Sequence, residues 1–106
     1  MNIRKAQTIC RKIDAQYERL GESVAWEDVY DSEQEMIDDL KKVYIPKNRV
    51  APTLTFKGYE YIYSFAYYVQ KGWTLSDKQL RQCKRLAKEI KKASAIVECY
   101  ASDKEK

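Results

Sequence analysis

Apolar residues Ile3, Ala6, Ile9, Cys10, Ile13, Tyr17 and Leu20 recur at spacings of three and four, which puts them on one face of an α-helix. Gly21 supplies its stop. In the acidic stretch that follows, Ser23 can cap a short helical turn that buries Val24, Trp26 or Val29. Ser32 and Glu35 have the spacing of a capping box, in which each side chain satisfies the other residue's amide. That predicts a helix from Glu33 to about Tyr44, with Met36, Ile37, Leu40 and Val43 inward. Pro46 and Pro52 bracket a loop, and Thr53 to Phe56 alternate as an extended piece with no strand to pair with. Ile62, Phe65, Ala66 and Val69 define the next helix, from Lys57 or Gly58 to Gln70, which Gly72 ends. A second capping box, Ser76 with Gln79, opens the last and longest helix. Its apolar positions Leu80, Cys83, Leu86, Ala87, Ile90, Ala93, Ser94 and Val97 keep the helical period.

The expected fold is therefore all-α: one helical domain over 1–101, a compact bundle of four main helices with one short extra, and a frayed tail over 102–106. A chain of 106 residues suits a single core, and three Gly with two Pro leave few breaks for a many-turned β fold. No apolar run approaches the ~20 residues that cross a bilayer, and the N-terminus lacks the apolar centre of a signal peptide. A cytoplasmic protein with no membrane partner is expected. Cys10, Cys83 and Cys99 are too dispersed for a metal set and read as core thiols. The absence of histidine removes the commonest general base. Without a catalytic signature, the expectation is a non-enzymatic protein with no cofactor and no metal.

Charge is separated along the chain. Glu22 to Leu40 holds eight acids and no base, whereas Lys41 to the C-terminus holds fifteen bases and six acids. On a helix continued through the last segment at 100° per residue, Lys78, Arg81, Lys84, Arg85, Lys88, Lys91 and Lys92 fall within an arc of about 140°, opposite the apolar face. Glu89 lies off the centre of that arc. A stripe of one sign attracts phosphates and predicts salt-sensitive, sequence-blind nucleic-acid binding. The alternative is that an acidic helix lies beside the basic one and neutralises it within the bundle.

Five of nine tyrosines, Tyr59, Tyr61, Tyr63, Tyr67 and Tyr68, crowd into ten residues. Tyr63 and Tyr67 flank one side of the Ile62, Phe65, Val69 stripe, and Tyr61 and Tyr68 flank the other. They either widen the buried face with hydroxyls in water or, with Trp73 at the following joint, form a contact surface for protein or for unpaired bases.

Ser64, Phe65, Gly72, Leu75, Ser76, Lys78 and Gln79 together resemble a short element of small bacteriophage-encoded accessory proteins. The resemblance is confined to Ser64–Gln79, implies a phage or mobile-element origin, and transfers no catalytic residue. Two functions are thus expected. The first is binding of nucleic acid, or of a nucleic-acid-bound complex, through the basic stripe and the tyrosines. The second is an inhibitor or adaptor that acts on a host enzyme or defence complex, with the acidic segment over 22–39 imitating nucleic acid. Monomer and homodimer are both compatible with the sequence.

Overall fold

The computed structural model describes residues 3–18, 24–45 and 58–100, and every regular element among them is helical. Helix α1 spans Ile3–Tyr17, α2 Trp26–Val29, α3 Glu33–Lys42, α4 Tyr59–Gln70, α5 Asp77–Arg85 and α6 Ala87–Ala95, and a 3-10 segment Ile96–Tyr100 follows. Leu20, Gly21, Ser23, the Pro46–Pro52 loop, the extended Thr53–Phe56 piece and the 102–106 tail lie outside the described residues.

Local chemistry explains most boundaries. Ser76 Oγ accepts from the Gln79 amide at 3.2 Å, and Gln79 Oε1 accepts from the Ser76 amide at 2.9 Å, so the expected box closes in both directions. The first box closes only halfway. Ser32 Oγ accepts from Glu35 N–H at 3.2 Å, but the Glu35 carboxylate reaches one residue further and accepts from Asp31 N–H at 3.0 Å. At the end of α4, Gly72 N–H donates to Val69 at 3.1 Å and Trp73 N–H to Tyr68 at 3.0 Å. This is a Schellman cap, and the φ of 82° at Gly72 is what such a cap requires.

Helix α6 is the hub, packed against α1, α2, α3, α5 and the 3-10 segment. Met36, Leu40, Ile62, Ile90, Ile96 and Cys83 are the largest fully enclosed side chains among the described residues, drawn from α3, α4, α5, α6 and the 3-10 segment. Gln70 ties α4 to α3 by donating from Nε2 to the Leu40 and Val43 carbonyls at 3.2 and 2.8 Å, at the end of α3 where the Leu40 carbonyl also accepts from the Val43 N–H.

The expected single last helix is divided, so among the described residues α1 is the longest helix and the main helices number five where four were expected. Leu86 adopts φ −107°, ψ 17°, and its N–H is shared between the Gln82 and Cys83 carbonyls, so the regular ladder stops there and resumes with Ile90 N–H on the Leu86 carbonyl. Gly58 lies against this break. A Cβ added at Gly58 would stand 2.9 Å from both Leu86 methyls, and its φ is 71°. At Gly72 an added Cβ would meet nothing within 4 Å. Alanine at Gly72 is thus expected to cost about 1 kcal/mol of left-handed strain, and alanine at Gly58 about 2 kcal/mol because Leu86 must also move. Urea denaturation of the two variants measures the difference, and equal costs would mean that Leu86 yields freely.

Candidate nucleic-acid interface

The seven bases of the expected stripe part company at Leu86. On α5, Lys78, Arg81 and Arg85 are exposed and make no ion pair with any described residue. Spacings of three and four set them on one ridge, about 10.5 Å from first to last along the helix axis. With Gln82 they line a shallow surface depression.

The other four bases are held by the bundle. Lys84 Nζ lies 2.6 Å from Glu33 Oε1 on α3 and 4.8 Å from the centroid of the Trp26 ring. Lys91 donates to the Tyr17 hydroxyl at 3.2 Å and sits 5.8 Å from that ring's centroid. Lys88 and Lys92 share Asp14 Oδ1 at 3.3 and 3.1 Å, and Lys92 also pairs with Glu89 Oε2 at 2.7 Å. Two lysines and two carboxylates make an electrically balanced cluster that joins α1 to α6. Lys92 is only 9% exposed.

The expectation of seven bases facing water together therefore fails for Lys84, Lys88, Lys91 and Lys92. A wheel drawn at a constant step assumes one unbroken helix with one neighbour-free side. The break at Leu86 removes the first condition, and the central place of α6 removes the second. Neutralisation is shared: Glu33 of the acidic helix α3 pairs with Lys84, in line with the alternative of an acidic helix beside the basic one, while Asp14 of α1 pairs with Lys88 and Lys92 and Glu89 with Lys92. Within the acidic stretch, Asp38 and Asp39 pair with Lys41 and Lys42 of their own helix at 3.9 and 3.8 Å, and Tyr30 donates to Asp39 at 2.7 Å.

Burial pushes the Asp14 carboxyl up, but hydrogen bonds and charge from Lys92 and Lys88 outweigh it and hold the group below its ordinary range. Burial likewise favours neutral Lys92, yet Glu89 and Asp14 reverse this and raise its pKa. Both directions favour the charged forms, a carboxylate and an ammonium facing each other. Burial pushes the Cys83 thiol up to about 12 and raises Cys10 as well, so both favour the protonated, unreactive form. Cys10, Cys83 and Cys99 form no disulfide with one another, and Cys83 and Cys99 are buried as expected while Cys10 is half-buried.

The aromatic residues also divide. Tyr63 is half-buried, packs on the core and meets Tyr59 edge-on with ring centroids 6.1 Å apart. Tyr61 is 61% exposed, with its ring stacked along Phe65 at 6.4 Å. Tyr67, Tyr68 and Trp73 form an exposed corner. Trp73 is perpendicular to both tyrosines, at 6.0 Å from Tyr67 and 5.2 Å from Tyr68, and Lys71 Nζ lies 5.4 Å from the Tyr67 centroid. The Schellman cap builds this corner, because it brings the residue after Gly72 back over the last turn of α4. Trp73 sits at the joint, as expected, but with 52% of its surface in water.

Asp14 and Gln70 were not singled out from the sequence. Asp14 does lie one helical turn from Cys10 and beside Ile13, at the edge of the apolar face of α1, and an acid in that position is a signal for a buried cationic partner. Among the described residues no group of three potential ligands could hold a metal ion, and no helix is long and apolar enough to cross a membrane. Comparison with known proteins finds no matching family model, curated protein or solved structure.

Proposed function

We propose that this chain is a non-enzymatic binding protein, of phage or mobile-element origin, that engages nucleic acid or a nucleic-acid-bound complex through α5 and the neighbouring aromatic corner. The observation that carries this reading is the ridge of Lys78, Arg81 and Arg85, three exposed cations of the same sign with no acidic partner among the described residues. Cations that a fold leaves unneutralised on one ridge are free to displace counterions from a phosphate backbone. The rival reading, a protein-directed inhibitor that mimics nucleic acid, has weaker support. Glu33, Asp38 and Asp39 of the acidic segment are already paired with lysines.

The number of free bases makes the reading quantitative. Three phosphate contacts give a slope of log K against log salt of about −2 to −3, where seven would give about −5 to −6. Fluorescence anisotropy with DNA and RNA across a salt series measures it. The triple variant Lys78→Glu, Arg81→Glu, Arg85→Glu is expected to abolish binding while leaving the helical content unchanged. Absence of binding by the native chain at low salt, or indifference to the triple variant, removes the reading.

A further inference from the structure

Three of the five exposed large apolar side chains among the described residues, Tyr67, Tyr68 and Trp73, meet in one corner. The other two are Tyr61 and the isolated Ile3 near the start of α1. The corner of Tyr67, Tyr68 and Trp73 is followed directly by the segment that opens α5. Leu75 is buried and anchors that segment, and an extended chain keeps the Cα atoms of Trp73 and Lys78 within about 18 Å of each other. From Lys71 to Arg85 the sequence carries five bases and one acid, Asp77. Lys71 lies over Tyr67 at the corner, and the α5 ridge follows it in the chain.

Resting on the nucleic-acid reading above, we infer that the preferred ligand is single-stranded, with Trp73, Tyr67 and Tyr68 offering rings to unpaired bases while Lys78, Arg81 and Arg85 hold the phosphates. The physical reason lies in what each form of nucleic acid can use. A duplex presents its charge but keeps its base faces stacked inside, so it gains only from the three cations. A single strand gains from the same cations and also from stacking, worth about 1–3 kcal/mol per base and indifferent to sequence. Rings fixed by a helix cap lose little freedom on binding, since Trp73 is already braced edge-on by two tyrosines. Charge complementarity selects this occupant over an apolar peptide, because Lys71 and the α5 ridge repel nothing that carries phosphate and give an apolar segment no gain.

The test uses the full chain with an oligothymidylate and an oligouridylate of about 12 nucleotides, a length within the site sizes of small stacking modules, and with a blunt DNA duplex of the same length. The single strands are expected to bind at least about 10-fold more tightly than the duplex, and Trp73→Ala to weaken single-strand binding by about 5- to 50-fold while duplex affinity stays constant. Trp73→Phe should restore most of the loss. Unequal effects of Trp73→Ala on the two oligomers would assign the preference to DNA or to RNA and support the inference for that strand. Equal affinity for strand and duplex, still dependent on the α5 ridge, overturns the single-strand preference and leaves the broader reading intact. No binding of any nucleic acid overturns both. A dimer that Trp73→Ala dissolves, with single-strand affinity unchanged, overturns the inference in favour of a second copy covering the corner.

Discussion

Lys92→Met is expected to destabilise the fold by about 3 kcal/mol, whereas removing the equally basic Lys78 changes stability by less than about 0.5 kcal/mol. Lys92 sits on the central helix with its ammonium between Glu89 and Asp14, and Glu89 is itself nearly enclosed. Truncating the cation leaves the Glu89 carboxylate in the interior with no opposite charge, and the cost is mostly that of the stranded ion. The double variant Lys92→Met, Glu89→Leu should therefore recover part of the loss, because no ion is then left behind. The same cluster sets a pH window. The depressed pKa of Asp14 means that its contribution is present above the ordinary carboxylate value of 3.8 and disappears as pH falls through the lower folded value. The raised pKa of Lys92 means that its contribution is present below the ordinary value of 10.5 and disappears as pH rises through the higher folded value. Chemical denaturation from acid to alkaline pH should show a plateau between these limits. An unaltered denaturation midpoint in Lys92→Met would show that the cluster is not part of what holds α1 to α6.

Ile90→Ala should be the most damaging of the apolar truncations, at about 4 kcal/mol, or a drop in Tm of roughly 15–25 °C for a domain of this size. Ile90 has no exposed surface and lies on the helix that every other major packing element except α4 touches strongly. Deleting its three outer carbons forfeits transfer energy and opens a cavity between elements that cannot all close in together. Ile3→Ala, at the exposed end of α1, provides the contrast and should cost less than about 0.5 kcal/mol. Against a total folding free energy of about 5–15 kcal/mol, the Ile90 loss would leave a substantial unfolded fraction at physiological temperature. Thermal melts followed by circular dichroism compare the two. Similar melting temperatures for both variants would mean that α6 is not the hub.

The capping box at Ser76, the stop at Gly72 and the apolar stripes of α1, α3 and α4 were legible in the sequence. Each depends on residues a few positions apart, and such contacts form wherever the chain goes afterwards. The same locality produced the Trp73–Tyr68 contact, because the cap that Gly72 permits brings the two rings together. The half-made box at Ser32 shows the edge of that legibility, since a side chain with two nearby amides chose the one further back.

The surface of the last helix was a different matter. Hydropathy placed Lys84, Lys88, Lys91 and Lys92 on a polar face, and in an isolated amphipathic helix that face would meet water. Which sides of α6 are covered depends on α1, α2 and α3 arriving from far along the chain: Asp14 lies 78 residues from Lys92, and Tyr17 lies 74 from Lys91. The break at Leu86 likewise lies where Gly58, at the start of α4, comes close to the Leu86 side chain. Sequence alone determined that the chain is helical, where most helices begin and stop, and that cations crowd its C-terminal part, because these follow from composition and near neighbours. Only tertiary structure decided that Lys84, Lys88, Lys91 and Lys92 find partners within the fold while Lys78, Arg81 and Arg85 make no ion pair with any described residue, because an ion's freedom is set by whatever charge the fold brings within a few ångströms of it.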